Sequence, residues 1–229
     1  MKKEDKNFFP EKKKILITSG GTREYIDGVR VLTNISSGKL GASIADLLSS
    51  YGFEIFFVYT KGSKIPDRTQ ISTRIKLINL YEVTDVKSVY ETMKELVPKM
   101  DVVIHPMAVS DFGFKPIATK LKSNDTDAFI ESMRERIFKN PKILSHIKEW
   151  NPNCFLISFK FEDGTTHEEL VKIATESQEK NGSDIVICND KKEMSDKKAH
   201  IAYFIKDEKE IYTASSKEEI AKKILELIK

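Results

Sequence analysis

Six short apolar runs punctuate the chain, at residues 15–18, 54–59, 75–78, 102–105, 155–159 and 184–188. Each is four to six residues long and nearly continuous in hydrophobicity, the pattern of strands buried on both faces. Between them, apolar residues recur every three or four positions. One predicted helix opens near Ser37-Gly38 and runs through Leu48 to Gly52. A second, capped by Thr84, carries Val86, Val89, Met93, Leu96 and Val97 on one face. Residues 141–150 predict a short helix with Pro141 near its first position, and 168–180 a longer one. Runs at 200–205 and 211–213 predict a closing hairpin, followed by a helix capped by Ser215 or Ser216 with Glu218 and Glu219 in its first turn. Residues 112–135 hold few apolar positions and predict a long loop, or flap. Strands alternating with helices predict an α/β fold: a Rossmann-like, mostly parallel sheet flanked by helices, with a C-terminal hairpin and a mobile flap.

Ligands of such sheets bind beyond the carboxyl ends of the strands. Four unusual segments fall at those ends: 19–24, 105–111, 159–163 and 189–190. The turn Ser19-Gly20-Gly21-Thr22 offers backbone N–H groups with little steric cover, which suits a phosphate or a tight strand-to-helix connection equally. It is not a GxGxxG fingerprint. Residues 34–39 are not a Walker loop either, since Thr33 and Leu40 stand where Gly and Ser or Thr belong. Still, an N-cap serine explains only one residue of the block from Asn34 to Gly41, which gathers an amide, two hydroxyls, two glycines and an ammonium ahead of a helix. An anion at the helix N-terminus explains more of it. Asp111, at a strand end, could grip a ribose hydroxyl, a base edge or a hydrated Mg²⁺. In an extended flap Lys120 and Lys122 would face one way. Tyr90 and Lys94 match a YxxxK dehydrogenase motif by chance and read as one helix face.

Charge narrows the classes further. The net charge is +3, and the first fourteen residues, with six lysines against three acids, carry all of it. A body of zero net charge argues against a nucleic-acid binder. Residues 1–13 are therefore expected to be a flexible basic tail and 14–229 one domain. No apolar run approaches the ~20 residues of a membrane span, and no signal core follows the N-terminus. Cys154 and Cys188 sit in apolar stretches, as buried thiols of a cytoplasmic protein do. His105, His146, His167 and His200 show no metal-ligand spacing, so no protein-held metal site is expected.

The blocks 17–30 (ITSGGTREYIDGVR) and 32–41 (LTNISSGKLG) resemble phosphopantothenoylcysteine synthetase. Further similar segments follow in the family's order: 107–111, 120–122, 139–143, 157–159, and Lys180-Asn181 ahead of 184–190. The resemblance covers about residues 14–229. It implies a ligase that joins 4′-phosphopantothenate to L-cysteine in coenzyme A biosynthesis, with CTP ahead of ATP as cosubstrate and with Mg²⁺. It implies an acyl-nucleotide intermediate, release of pyrophosphate and CMP, and a homodimer. Only fourteen residues precede the first predicted strand, so the flavin-dependent decarboxylase often fused to such enzymes is expected on a separate chain.

By the same resemblance, Asn34 holds the intermediate, Arg30 reaches it across the dimer, and Lys120 on the flap serves the activation step. Gly20, Gly21 and Thr22 approach the triphosphate; Met107, Ala108, Asp111, Asn140, Ile143, Phe159 and Lys180 contact the nucleotide. Ser36, Ser37, Gly38, Lys39 and Asn189 belong to the substrate side. The chain departs from the family's pattern at Glu176, where a lysine is common and for which Lys172 or Lys160 could substitute, and at Ser158, where glycine is common. Two other readings are a nicotinamide-dependent oxidoreductase, disfavoured by the missing GxGxxG, and a non-catalytic homologue.

Overall fold

The computed structural model describes residues 12–67, 78–117 and 126–229. In chain order the elements are β1 (Lys14–Ser19), β2 (Arg23–Tyr25), β3 (Val31–Thr33), α1 (Lys39–Ser50), β4 (Glu54–Thr60), β5 (Ile78–Val83), α2 (Val86–Leu96), β6 (Val102–His105) and β7 (Phe112–Phe114). Then come α3 (Thr126–Arg136), β8 (Ile137–Lys139), α4 (Ile143–Trp150), β9 (Phe155–Glu162), α5 (His167–Asn181), β10 (Ile185–Asp190), α6 (Lys191–Lys197), β11 (Ala202–Lys206), β12 (Lys209–Ala214) and α7 (Lys217–Ile228).

Eight strands form one sheet in the order β12-β11-β10-β9-β6-β1-β4-β5, parallel from β5 to β10 and closed by the antiparallel pair β11–β12. The expected Rossmann-like α/β architecture with its C-terminal hairpin is therefore present. Side-chain alternation explains the continuous apolar runs. Ile15 and Ile17 of β1 face the layer under α1 and α7, whereas Leu16 faces the layer under α2 and α4. All three are fully buried. The chain leaves β1 toward β4 on one side and returns on the other with β6, so β1 and β6 flank the crevice where the winding reverses.

Several local expectations are corrected. Asp85, not Thr84, caps α2, because its carboxylate accepts from Ser88 N–H while the Ser88 hydroxyl closes a capping box. Thr84 instead receives Arg23 N–H on its carbonyl at 2.8 Å. Lys142, in extended conformation, caps α4, so Pro141 lies before the helix rather than in its first turn. The third strand runs Ile78–Val83; of its expected span only Ile78 belongs to it, and 75–77 lie outside the described residues. The stretch 112–135 is not one irregular loop: β7 pairs antiparallel with β8, and α3 leads into that ribbon. Lys120 and Lys122 lie outside the described residues. Lys13, assigned to the tail, is tied to the fold through its ammonium, which donates to the Ile228 carbonyl at 2.7 Å.

Candidate functional site

The loops leaving β1 and β6 are stitched together. Ala108 N–H donates to Gly20 O at 2.9 Å, Thr22 N–H donates to Ala108 O at 3.1 Å, and Gly21 and Ala108 form a parallel bridge. Thr22 is fully buried, and its hydroxyl oxygen receives Ser110 N–H at 2.9 Å. Its side chain thus holds the β6 loop, while Gly20 and Gly21 present backbone only. Farther along, Asn140 locks the other end: its amide donates to Ser110 O at 3.1 Å and its backbone N–H to Asp111 O at 2.8 Å.

The 34–39 loop lies across this joint. The Asn34 side chain, exposed, donates to Val109 O at 3.3 Å. The Ser19 hydroxyl donates to Gly38 O at 3.0 Å, and Lys64 N–H to Ser37 O at 2.9 Å. Gly38 has φ 71°, and a Cβ on Gly41 would stand 2.6 Å from the Ser19 hydroxyl, so both glycines are required for this close approach. Helix α1 begins with no side-chain cap and no acid in its first turn. Its first N–H, that of Lys39, has a long 3.4 Å bond to the Ser37 hydroxyl, and no acid in the first turn offsets the positive end of the helix dipole. Ser36, Ser37 and Lys39 stand at that end, and among the described residues Lys39 has no ion pair.

A cavity of about 470 Å³ opens beside the joint, walled by the β6 loop, the start of α4, the end of β9 and one face of α5. Met107, Asp111, Ile143, Phe159 and Lys180, five of the seven expected nucleotide contacts, all line it. Ala108 and Asn140 form the backbone joint next to it. Three cations (Lys142, Lys160, Lys180) and two acids (Asp111, Glu176) face the cavity. Lys142 is ion-paired with Asp111 and Lys160 with Glu162, the latter at 2.8 Å. The exposed Lys142–Asp111 pair contributes little to stability, so either partner can exchange it for a ligand at small cost. Lys172 does not line the cavity, which leaves Lys160 as the cation opposite Glu176.

Beneath the joint, His105 Nδ1 lies 2.8 Å from Thr18 Oγ1. Burial holds this imidazole's pKa down at about 4, so it is neutral. No group of three or more His, Cys, Asp or Glu side chains forms a metal cage among the described residues. A divalent cation arriving on a phosphate chain needs only one or two carboxylates, and Asp111 lines the cavity.

Some expected residues stand apart. Arg30, in the β2–β3 connection, pairs with Asp27 at 2.7 Å and stacks over the Phe129 ring at 5.5 Å. Asn189, at the end of β10, donates to the Met194 sulfur at 3.3 Å and does not line the cavity. Conversely, His105 and Lys142 line the cavity without having been expected there. For Lys142 the signal was its place just after Asn140-Pro141, and for His105 its place at the start of the strand-end segment 105–111.

The family model for the DNA/pantothenate metabolism flavoprotein C-terminal domain matches residues 10–229. The chain belongs to this family. It is 33% identical over 219 residues to the coenzyme A biosynthesis bifunctional protein CoaBC of Thermococcus kodakarensis, covering 93% of this chain and 50% of that one. The corresponding protein of Methanocaldococcus jannaschii is 30% identical over 224 residues, covering 97% and 52%. The chain thus spans about half the length of the curated relatives it matches. Among solved structures, the DNA/pantothenate metabolism flavoprotein from Streptococcus pneumoniae superposes with a TM-score of 0.79 at 34% identity, covering 94% of this chain and 98% of that one. The C-terminal domain of a coenzyme A biosynthesis bifunctional protein CoaBC gives a TM-score of 0.72 at 25% identity, covering 94% and 93%.

Proposed function

We propose that the chain is a phosphopantothenate–cysteine ligase of coenzyme A biosynthesis, using CTP through an acyl-cytidylate. The observation that carries this reading is the convergence of Met107, Asp111, Ile143, Phe159 and Lys180, from four separate elements, on one cavity beside the β1–β6 joint. Such a crevice is where an α/β sheet holds a nucleotide.

The chemistry runs in two halves. The phosphopantothenate carboxylate attacks the α-phosphorus of CTP, forming the mixed anhydride and expelling pyrophosphate. The cysteine amine then attacks the acyl carbon, expelling CMP and losing a proton. Carboxylate and triphosphate repel each other, so the first half needs fixed positive charge; Lys180 and Lys160 at the cavity and Lys120 on the flap are assigned to supply it. Bound Mg²⁺ would neutralise further phosphate charge. Gly20 and Gly21 let the triphosphate approach the backbone. The start of α1, which has no acid in its first turn, is assigned with Ser36, Ser37, Gly38 and Lys39 to the phosphate of phosphopantothenate, and Asn189 to the same substrate. Asn34 is assigned to the acyl-nucleotide, which a neutral amide can hold without adding charge. Water must be kept from that intermediate, a role assigned to the flap expected at about residues 112–135.

A homodimer in which Arg30 serves the neighbouring site is part of the proposal. Val31, Leu32, Phe112, Ile137 and Phe138 are exposed on two small ribbons, Ile35 is exposed just beyond β3, and α3 buries no residue at all, which supports a covering second copy. No helix among the described residues is long and apolar enough to cross a membrane. A cytoplasmic setting suits the buried free thiols Cys154 and Cys188, whose pKa values burial raises, that of Cys188 to about 12.

Incubation with 4′-phosphopantothenate, L-cysteine and CTP, repeated with ATP, tests the reading. Pyrophosphate and phosphopantothenoylcysteine are expected with CTP. Product with ATP alone would change the cosubstrate, and product with neither would end the proposal.

A further inference from the structure

His105 carries a hydrogen-bond donor that the fold leaves without a partner. The buried Thr18 hydroxyl oxygen receives Met107 N–H at 3.3 Å and lies 2.8 Å from His105 Nδ1. Were Nδ1 to carry the proton, Thr18 Oγ1 would accept twice and its own hydrogen would find no acceptor in a fully buried place. An orphaned buried donor loses its hydration with nothing in return. Thr18 therefore donates to Nδ1, and the ring's proton sits on Nε2.

Nε2–H has no hydrogen-bond partner among the described residues. Yet among the described residues no fully enclosed side-chain nitrogen or oxygen lacks a partner. Nε2 must therefore touch open space, and the open space His105 borders is the 470 Å³ cavity. His105 as a whole is only 7% exposed, and its 2.8 Å bond to Thr18 fixes the ring's orientation.

We propose that His105 reads the nucleotide base, donating Nε2–H to a carbonyl oxygen or ring nitrogen of the base bound in this cavity. This rests on the nucleotide reading of the site above. Phosphate oxygens are better served by Lys160 and Lys180, which line the same cavity and bind anions by charge. A neutral donor beside Met107, Ile143 and Phe159 suits a flat, uncharged ring. Thr18 acts as the positioning residue that fixes the tautomer.

The test compares binding of CTP, ATP and inorganic tripolyphosphate, which lacks a base, by calorimetry to the native chain and to His105→Leu. The variant is expected to bind the preferred nucleotide about tenfold more weakly and tripolyphosphate unchanged. Unchanged nucleotide binding, or equal loss for both probes, overturns the proposal. Nitrogen-15 spectra of the histidine-labelled native chain are a second reading, independent of whether the variant folds. They are expected to show the Nε2–H form of His105, with Nε2 shifting on addition of nucleotide and not of tripolyphosphate. In Thr18→Val the Nδ1–H form is expected to appear beside it. An Nδ1–H form in the native chain overturns the proposal. Native protein that binds neither CTP nor ATP would sink the nucleotide reading itself, whereas native binding fully retained in His105→Leu would sink only the role of His105.

Discussion

Gly21 and Asn34 touch so closely that a Cβ on Gly21 would stand 2.3 Å from the Asn34 carbonyl oxygen. Gly21 cannot retreat, because it is bridged to Ala108 in the β1–β6 joint. Any side chain there must therefore push Asn34 outward. Gly21→Ala is expected to slow product formation on the order of 100-fold, the usual cost of a misplacement near 1 Å. A steady-state assay with a normal rate would show that the loop position of Asn34 does not matter.

The two halves of the reaction should separate genetically. Asn34→Asp places a carboxylate beside the anionic acyl-nucleotide, so pyrophosphate release should continue while cysteine addition slows about 100-fold. Lys120→Gln should do the reverse and abolish the first half. Single-turnover measurements of pyrophosphate and of product distinguish them: equal damage to both halves in Asn34→Asp, or normal pyrophosphate release in Lys120→Gln, contradicts the assigned role.

Acid should find His105. Burial lowers its pKa in the folded state from 6.5 to about 4, so the unfolded chain takes up the proton first as pH falls. The contribution of a neutral buried ring is therefore complete above about pH 6.5 and is lost progressively toward pH 4, amounting to ~3 kcal/mol. Urea unfolding of the native chain and of His105→Gln between pH 7 and 4.5 should show the native losing more stability than the variant. Parallel curves would mean that His105 is not buried neutral.

Glu176 lies one turn before Lys180 on α5 and lines the same cavity. It opposes the anion that Lys180 is assigned to bind. Glu176→Lys should lower the nucleotide KM about fivefold at low ionic strength, an effect scaled to an exposed site. Salt should erase most of that gain. A raised KM would mean that Glu176 helps hold a cation.

Subunit association gives a physical test of the two ribbons. Leu32→Asp combined with Phe138→Asp puts charge on two exposed apolar positions, one on β3 and one on β8. Sedimentation should then show a monomer where the native chain is a dimer. A variant that stays dimeric would move the interface elsewhere.

The sheet was legible in the sequence because its strands are buried on both faces. Ile15, Leu16 and Ile17 are all fully enclosed, so the run reads as a block with no solvent side to interrupt it. Elements without a buried stripe left no such trace. α3 and α6 bury no residue, so helical periodicity has nothing to act on. Ribbon β2–β3 uses three residues per strand, too few for alternation to show, and β3 is exposed throughout. Asp111 was readable as a type at a strand end, whereas Asn140 came only with the family resemblance. The donor of His105 was not readable, because its tautomer is set by Thr18, which stands 87 positions earlier.

The stitching of Gly20 and Thr22 to Ala108 also has a temporal side. Strand β1 leaves the ribosome long before β6, and β4, β5 and α2 must be made in between. The β1 loop gains its neighbour only when the β6 loop is made, and the site its opposite wall only when α5 follows. On the proposed reading, nucleotide can then protect from degradation only a chain synthesised past α5, and a fragment ending before it gains nothing.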